Sequence, residues 1–236
     1  MSIDPHSQPT YAEQAEQQFA TVRERLSERR RSLGMSMSEL ARQIGVSPSM
    51  ISQIERGNSL PSVETLFALA AALGATVDTF FSTRDGAAAA RPEPAESSRA
   101  TGAVSRTLEP VREHRYLVRR PDRASINVQG GVRWERLTPQ ALDGVEFLEL
   151  IYEPRAESNP NLYRHPGFEM VVVLEGRFDI YVGFERYELG PGDSIAFASS
   201  LPHRYVNAAD SVSRAVTTIL RDGDGAITPP QGPDQQ

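Results

Sequence analysis

The chain has no cysteine and no lysine, and it has a single tryptophan. Without thiols it forms no disulfide, holds no metal through sulfur and offers no cysteine nucleophile, a composition that suits a reducing compartment. All 25 basic residues are arginine; with the abundant alanine and proline, this is the pattern a GC-rich coding sequence produces. Long apolar runs are missing too. None approaches the roughly 20 residues needed to cross a bilayer. The opening MSIDPHSQPTYAEQAEQQFA lacks the basic start and apolar core of a signal peptide. A soluble, cytoplasmic protein without a membrane partner is expected.

What is present is enough for two packed units. The 236 residues are 39% hydrophobic, more than one average domain requires. The net charge of −6 argues against indiscriminate coating of nucleic acid. Its distribution is uneven: Val22 to Gly57 holds seven Arg against four Glu, a local +3 that leaves −9 on the rest. A basic segment on an acidic chain suits site-specific contact with DNA.

The periodicity changes along the chain. Residues 1–15 are polar and read as a disordered tail. Phe19, Val22, Leu26 and Leu33 then form one helical stripe that ends at Gly34. Ser36 and Glu39 make a capping box for a helix with Leu40, Ala41 and Ile44 inward, closed by Gly45. Ser47 caps another, with Pro48 at its first position and Ile51 and Ile54 inward, ended by Gly57. Ser62 starts a fourth with Leu66, Leu69, Ala70 and Leu73, and Val77 to Phe81 make a last apolar turn. A five-helix domain over 16–82 is expected.

Residues 83–107 are rich in Ala, Pro, Ser and charge and read as a linker. Beyond them the period becomes two: Phe147, Glu149 and Ile151 alternate with Leu148 and Leu150, and Phe178, Ile180 and Val182 with Arg177, Asp179 and Tyr181. Turn signals at Gly130-Gly131, Gly176 and Gly190-Pro191-Gly192 punctuate the runs, so 108–222 is expected to be an all-β sandwich or barrel. Residues 223–236 read as a second loose tail. The fold class is therefore multi-domain, α plus β.

The second of the two short helices leaves one face free, carrying Pro48, Ser49, Ser52, Gln53 and Arg56. Small polar and amide side chains near a helix N-terminus suit the major groove, where Gln pairs bidentately with adenine and Ser pairs with several bases. Arg42 and Arg56 flank this face as phosphate contacts. The run ELARQIGVSPSMISQIERG followed by PSVETLFALAAALG resembles the phage-repressor-like, or XRE, helix-turn-helix family over about 60 residues. That resemblance implies a recognition helix from Pro48 to Arg56, with Ser49 and Gln53 as base readers and Arg42, Ser47 and Asn58 as backbone contacts. Ser47 is in any case an N-cap.

In the β region, His165 and Glu169 are four apart and face the same way on an extended strand, with Gly167 between them. His203 near the start of another strand can reach the same point. Two imidazoles and one carboxylate make the facial triad that suits Fe(II) and also accepts Zn, Mn or Ni. The stretches YRHPGFEMVVVLEGRFDIYVG and YELGPGDSIAFASSLPHRYVN resemble the two motifs of cupins, small double-stranded β-helix barrels, over about Leu108 to Leu220. Tyr163 stands where the first cupin His belongs, while His165, Glu169, Gly176, His203 and Asn207 keep their places. Ala198 and Ser200 replace the usual Pro and Gly of the second motif. Tyr163 is a poor metal ligand unless deprotonated, so the same positions could instead hydrogen-bond an organic ligand. Trp134, Phe147, Tyr163, Phe178 and Tyr205 are candidate lining residues for a metabolite pocket. His6 and His114 lie on no motif and read as surface residues.

The order helix-turn-helix, linker, cupin resembles that of transcription regulators whose cupin senses a small molecule or metal. The resemblance implies a homodimer reading a pseudo-palindromic double-stranded operator. Mononuclear iron enzymes that act on phosphonates, an epoxidase among them, share the domain order and the ligand spacing. An Fe(II)-dependent oxygenase with a vestigial DNA-binding domain is therefore the alternative. The well-formed recognition helix and the lack of a lysine amine for an anionic substrate favour the regulator.

Overall fold

The computed structural model describes residues 11–81 and 116–221, with side chains from Val22 onward. His6, His114, the expected linker 83–107, the tail 223–236 and the first ten residues lie outside the described residues. Helix α1 runs Tyr11–Ser32, so it begins inside the segment expected to be a tail. Helices α2 (Met37–Ile44), α3 (Pro48–Glu55) and α4 (Val63–Ala72) follow. The fifth expected segment is a single 3-10 turn, Val77–Phe80, so the head has four α-helices among the described residues. Three-residue periodicity packs Val77 and Phe80 on the same side.

Each short helix starts where its capping residue dictates. The Ser36 hydroxyl accepts from the Glu39 N–H at 3.2 Å, and the Glu39 carboxylate accepts from the Ser36 N–H at 2.9 Å. Ser47 and Ser62 accept from the N–H of Met50 and Thr65, both at 3.2 Å. Each hydroxyl thereby satisfies a donor that the first helical turn leaves unpaired. Leu26, Leu40, Ile51, Leu66 and Leu69 meet in the centre. Leu33, expected in the α1 stripe, is instead 46% exposed. It sits just past the helix end, where Gly34 adopts a left-handed φ of 65° and turns the chain away.

Among the described residues the second domain has nine strands, all antiparallel neighbours: β1 (Ser125–Val128), β2 (Val132–Arg136), β3 (Val145–Tyr152), β4 (Phe168–Glu175), β5 (Phe178–Val182), β6 (Glu185–Leu189), β7 (Ser194–Ala198), β8 (His203–Asn207) and β9 (Ser213–Leu220). They form a six-stranded sheet in the order β1-β2-β3-β9-β4-β7 and a three-stranded sheet in the order β6-β5-β8. Tyr152 of the larger sheet meets Phe178 of the smaller edge-on at 5.2 Å, which places the core between them. In β9 the buried positions Ser213, Ala215, Thr217 and Ile219 alternate with half-buried ones. Glycine is required at the hairpin after β4: a Cβ on Gly176, whose φ is 75°, would lie 2.1 Å from the Ser213 hydroxyl.

One apolar cluster runs through both domains. Helix α4 and the 3-10 turn face the β domain. Asn159 donates to the Glu64 carboxylate at 3.0 Å, and the Gln129 N–H donates to the Pro61 carbonyl at 2.9 Å. The Arg136 guanidinium lies 3.7 Å from the Asp78 carboxylate.

Candidate functional site

The two helices of the expected DNA-binding motif are joined by a tight turn in which Gly45 takes φ 74°, and Pro48 opens α3 at a position where its missing N–H costs nothing. Ile51 and Ile54 bury one face of α3. Arg42, Ser47, Pro48, Ser49, Gln53, Arg56 and Asn58 are exposed, on the outer side of this unit. Ser52 is only half-buried, and its hydroxyl accepts from Arg56 at 2.5 Å while the Arg56 Nε donates to the Ser52 carbonyl. Arg56 is thus folded back along its own helix. Met50, 42% exposed beside Ser49, belongs to the same surface and was not singled out by polarity alone.

The basic segment of the sequence divides into two groups. Arg30 is 6% exposed and grips Glu55 of α3 in a fork, at 2.6 and 2.8 Å, while its third nitrogen donates to the Met35 carbonyl. Arg29 donates to the Leu73 and Gly74 carbonyls at the end of α4, and Arg25 to the Thr79 carbonyl. These three arginines hold the helices together, so less of the local positive charge faces outward than its sequence count implies.

In the β domain, His165, Glu169 and His203 converge, with one ligand atom from each lying within 4.8 Å of the others. Each histidine Nε2 is 3.6 Å from Glu169 Oε2. His203 opens β8 as expected. His165 is not on the strand of Glu169: β4 starts at Phe168, and Gly167, with φ 120°, ends the extended run between them. A Cβ on Gly167 would lie 2.4 Å from the Leu220 carbonyl, so this corner requires glycine.

Two of the three facing ligand atoms have no hydrogen-bond partner. His203 Nδ1 is 2.8 Å from the Leu201 carbonyl and His165 Nδ1 is 3.2 Å from the Pro166 carbonyl. A proton on Nδ1 in each ring turns the Nε2 lone pair toward the site. Glu169 Oε1 accepts from the Tyr205 hydroxyl at 2.7 Å and from Thr217 at 3.1 Å. Glu169 Oε2 and His203 Nε2 are buried with no hydrogen-bond partner. Burial lowers the His203 pKa, against the pull of Glu169, which keeps the ring neutral. Burial works to raise Glu169, but the facing rings of His165 and His203 and the hydrogen bond donated by Tyr205 hold it below the usual carboxylate value. Two imidazoles and one carboxylate converging on one point, with two of the facing atoms buried and unpartnered, fit a divalent cation.

Tyr163 lies beside this triad, its ring edge-on to His203 at 4.6 Å. Burial pushes its phenol well above the ordinary value, and its ring packs against the His203 imidazole. Trp134, Tyr163 and Tyr205 line the cavity over the triad as expected. Phe147 does not: it is 37% exposed, because β3 turns Leu148, Leu150 and Tyr152 inward and Phe147 outward. Phe178 is fully buried but packs on Tyr152 within the core, away from the cavity lining. Asn207 anchors the end of β8, donating to the carbonyls of Tyr152, Glu153 and Ser211 and accepting from Ser213. Its place in the motif is structural.

Comparison with known proteins accords with this geometry. Residues 26–80 match the helix-turn-helix family model and residues 148–219 the cupin domain model. Among curated relatives, the HTH-type transcriptional regulator SutR of Escherichia coli K12 is 28% identical over 185 residues, 78% of this chain and 86% of that protein. The HTH-type transcriptional regulator PuuR of the same organism is 24% identical over 193 residues, 82% of this chain and 91% of that protein. A crystal structure of an HTH_3 family transcriptional regulator from Vibrio cholerae has the same fold, with a TM-score of 0.58 and 22% identity, covering 89% of this chain and 99% of the other. Among the described residues no helix is long and apolar enough to cross a membrane. The chain thus joins an XRE-type helix-turn-helix domain to a C-terminal cupin domain, and its relatives are HTH-type transcriptional regulators.

Proposed function

We propose that this protein is a cytoplasmic, homodimeric, sequence-specific regulator of transcription whose cupin domain senses a small metabolite, a divalent metal, or both. The observation that carries the reading is the free outer face of α3: its apolar side is buried in the head while Ser49 and Gln53 are exposed. Those two side chains read base edges, Arg42, Ser47 and Asn58 meet the phosphate backbone, and Pro48, Ser52 and Arg56 complete the contact surface. Arg56 leaves Ser52 to reach a phosphate. Two heads on a two-fold axis read half-sites about one helical turn apart.

The convergence of His165, Glu169 and His203, with Glu169 Oε2 and His203 Nε2 buried and unpartnered, supports a divalent cation such as Fe(II), Zn, Mn or Ni. When bound, such a cation would supply open coordination positions to a donor atom of an effector. Tyr205 and Thr217 hold Glu169 in place for it. The opposing reading, an Fe(II)-dependent oxygenase with a vestigial head, is disfavoured by a recognition helix that keeps its cap, its turn and its exposed polar face.

Selection of binding sites from random duplexes tests this directly. The reading requires an enriched pseudo-palindrome that is lost on Ser49→Ala with Gln53→Ala, while salt-dependent background binding persists. No enriched sequence in the presence or absence of Fe(II), Zn, Mn or Ni refutes it.

A further inference from the structure

The cavity above the triad is not walled by the cupin alone. Phe67, on α4 of the helix-turn-helix domain, is one of its lining residues and is 6% exposed. Its ring lies flat on the His165 imidazole, with centroids 3.9 Å apart and planes inclined by 10°. Trp134 stands 5.9 Å away and the Arg221 guanidinium 5.9 Å from the ring centroid. With this ring in place the remaining cavity measures ≈ 10 Å³, on the order of a single water. An ion fits beneath the ring. A metabolite does not.

We propose that Phe67 is a plug: the effector pocket is composite, closed by the DNA-binding domain itself, so that an organic ligand and the docked head exclude one another. The inference rests on the reading of the chain as an effector-gated regulator. Helix α4 packs through Leu66 and Leu69 into the same core as Ile51 and Ile54 of α3, so withdrawing the ring by moving α4 moves the reading helix with it. The ligand class follows from the space the ring vacates. It is a compact molecule with a flat face to take the ring's place against His165 and Trp134, and with an N–H or O–H that donates to the unpartnered Glu169 Oε2 or His203 Nε2. Binding energy gained only in the undocked arrangement is what shifts the population of head positions.

The protein carries its own reporter, since Trp134 is the single tryptophan and is 3% exposed. Acrylamide quenching of its emission in the full chain, with imidazole as the flat, N–H-bearing probe, tests the plug. Phe67→Ala is expected to raise the quenching constant at least threefold with an unchanged circular dichroism spectrum, and to bind imidazole at least tenfold more tightly than wild type. Saturating imidazole is expected to bring wild type to the quenching level of the variant. Phe67→Leu, which keeps the helix face apolar without a flat ring, serves if alanine costs the head its fold, and is expected to raise quenching in the same direction. Equal quenching and equal imidazole affinity in wild type and the folded variant overturn the plug. No DNA enters this measurement, so its failure is separate from loss of operator preference, which would refute the regulatory reading and leave the plug standing.

Discussion

Arg136 of the β domain faces Asp78 of the helical domain across 3.7 Å, with the two side chains only 6% and 3% exposed. An ion pair this dry gains from Coulomb attraction but loses hydration at both ends. The balance is visible in the shifts. Burial pushes the Asp78 carboxyl up, against Arg136 and Arg221, and lowers Arg136, against Asp78.

Removing one partner therefore strands a buried charge. Asp78→Ala and Arg136→Ala are each expected to lower unfolding stability by about 3–5 kcal/mol. Asp78→Leu with Arg136→Met is expected to cost less than either single change, and a double-mutant cycle by denaturant titration checks it.

The same pair gives a pH dependence. Because the folded pKa of Asp78 is raised, its contribution is present in full below the unfolded carboxylate value and is lost as pH rises through the folded one. Asp78→Asn has no such titration. The stability of Asp78→Asn relative to wild type is expected to improve from pH 4 to pH 7, and thermal unfolding at the two values measures it.

Charge and structure separate among the arginines of the head. Arg30→Ala leaves Glu55 buried without its fork and is expected to destabilise the protein by about 3–5 kcal/mol. Arg42→Ala, at an exposed site, is expected to leave unfolding unchanged and to reduce the slope of log affinity against log salt by about 1. Anisotropy titrations at several salt concentrations, beside thermal melts, distinguish the two.

For the proposed metal site, His203→Ala removes a candidate ligand whose Nδ1 is already anchored to the Leu201 carbonyl. Cobalt(II) titration followed by visible absorption is expected to lose its saturable signal in this variant. His165→Phe, which keeps a ring against Phe67, is expected to lose it too. Metal binding unchanged in both would make the triad structural.

Much of this architecture was legible in the sequence because local chemistry states it. Ser36, Ser47 and Ser62 each cap the helix their position announced, and the change of period from 3.6 to two marked the second domain. His165, Glu169 and His203 were found from motif and spacing, although the strand placing His165 and Glu169 on one face was wrong: Gly167 breaks it and the loop delivers the imidazole instead. The facing of β3 was missed because Phe147 and Leu148 are both apolar and alternation alone does not say which side is in. Arg30 looked like DNA-facing charge, since its partner Glu55 lies 25 positions away and only folding brings them together. Phe67 was invisible for the same reason: within α4 it reads as one more core residue, and only docking carries it over His165.

In the function proposed, specific DNA recognition falls to the exposed face of α3. Fluorescence anisotropy of the purified chain on a labelled duplex from upstream of its own gene, at physiological salt with excess nonspecific competitor, tests it most directly. Competitor-resistant binding is expected, weakened by Ser49→Ala with Gln53→Ala by about 1–3 kcal/mol per lost base contact. Binding that competitor abolishes, with no difference between wild type and the double variant, would contradict it.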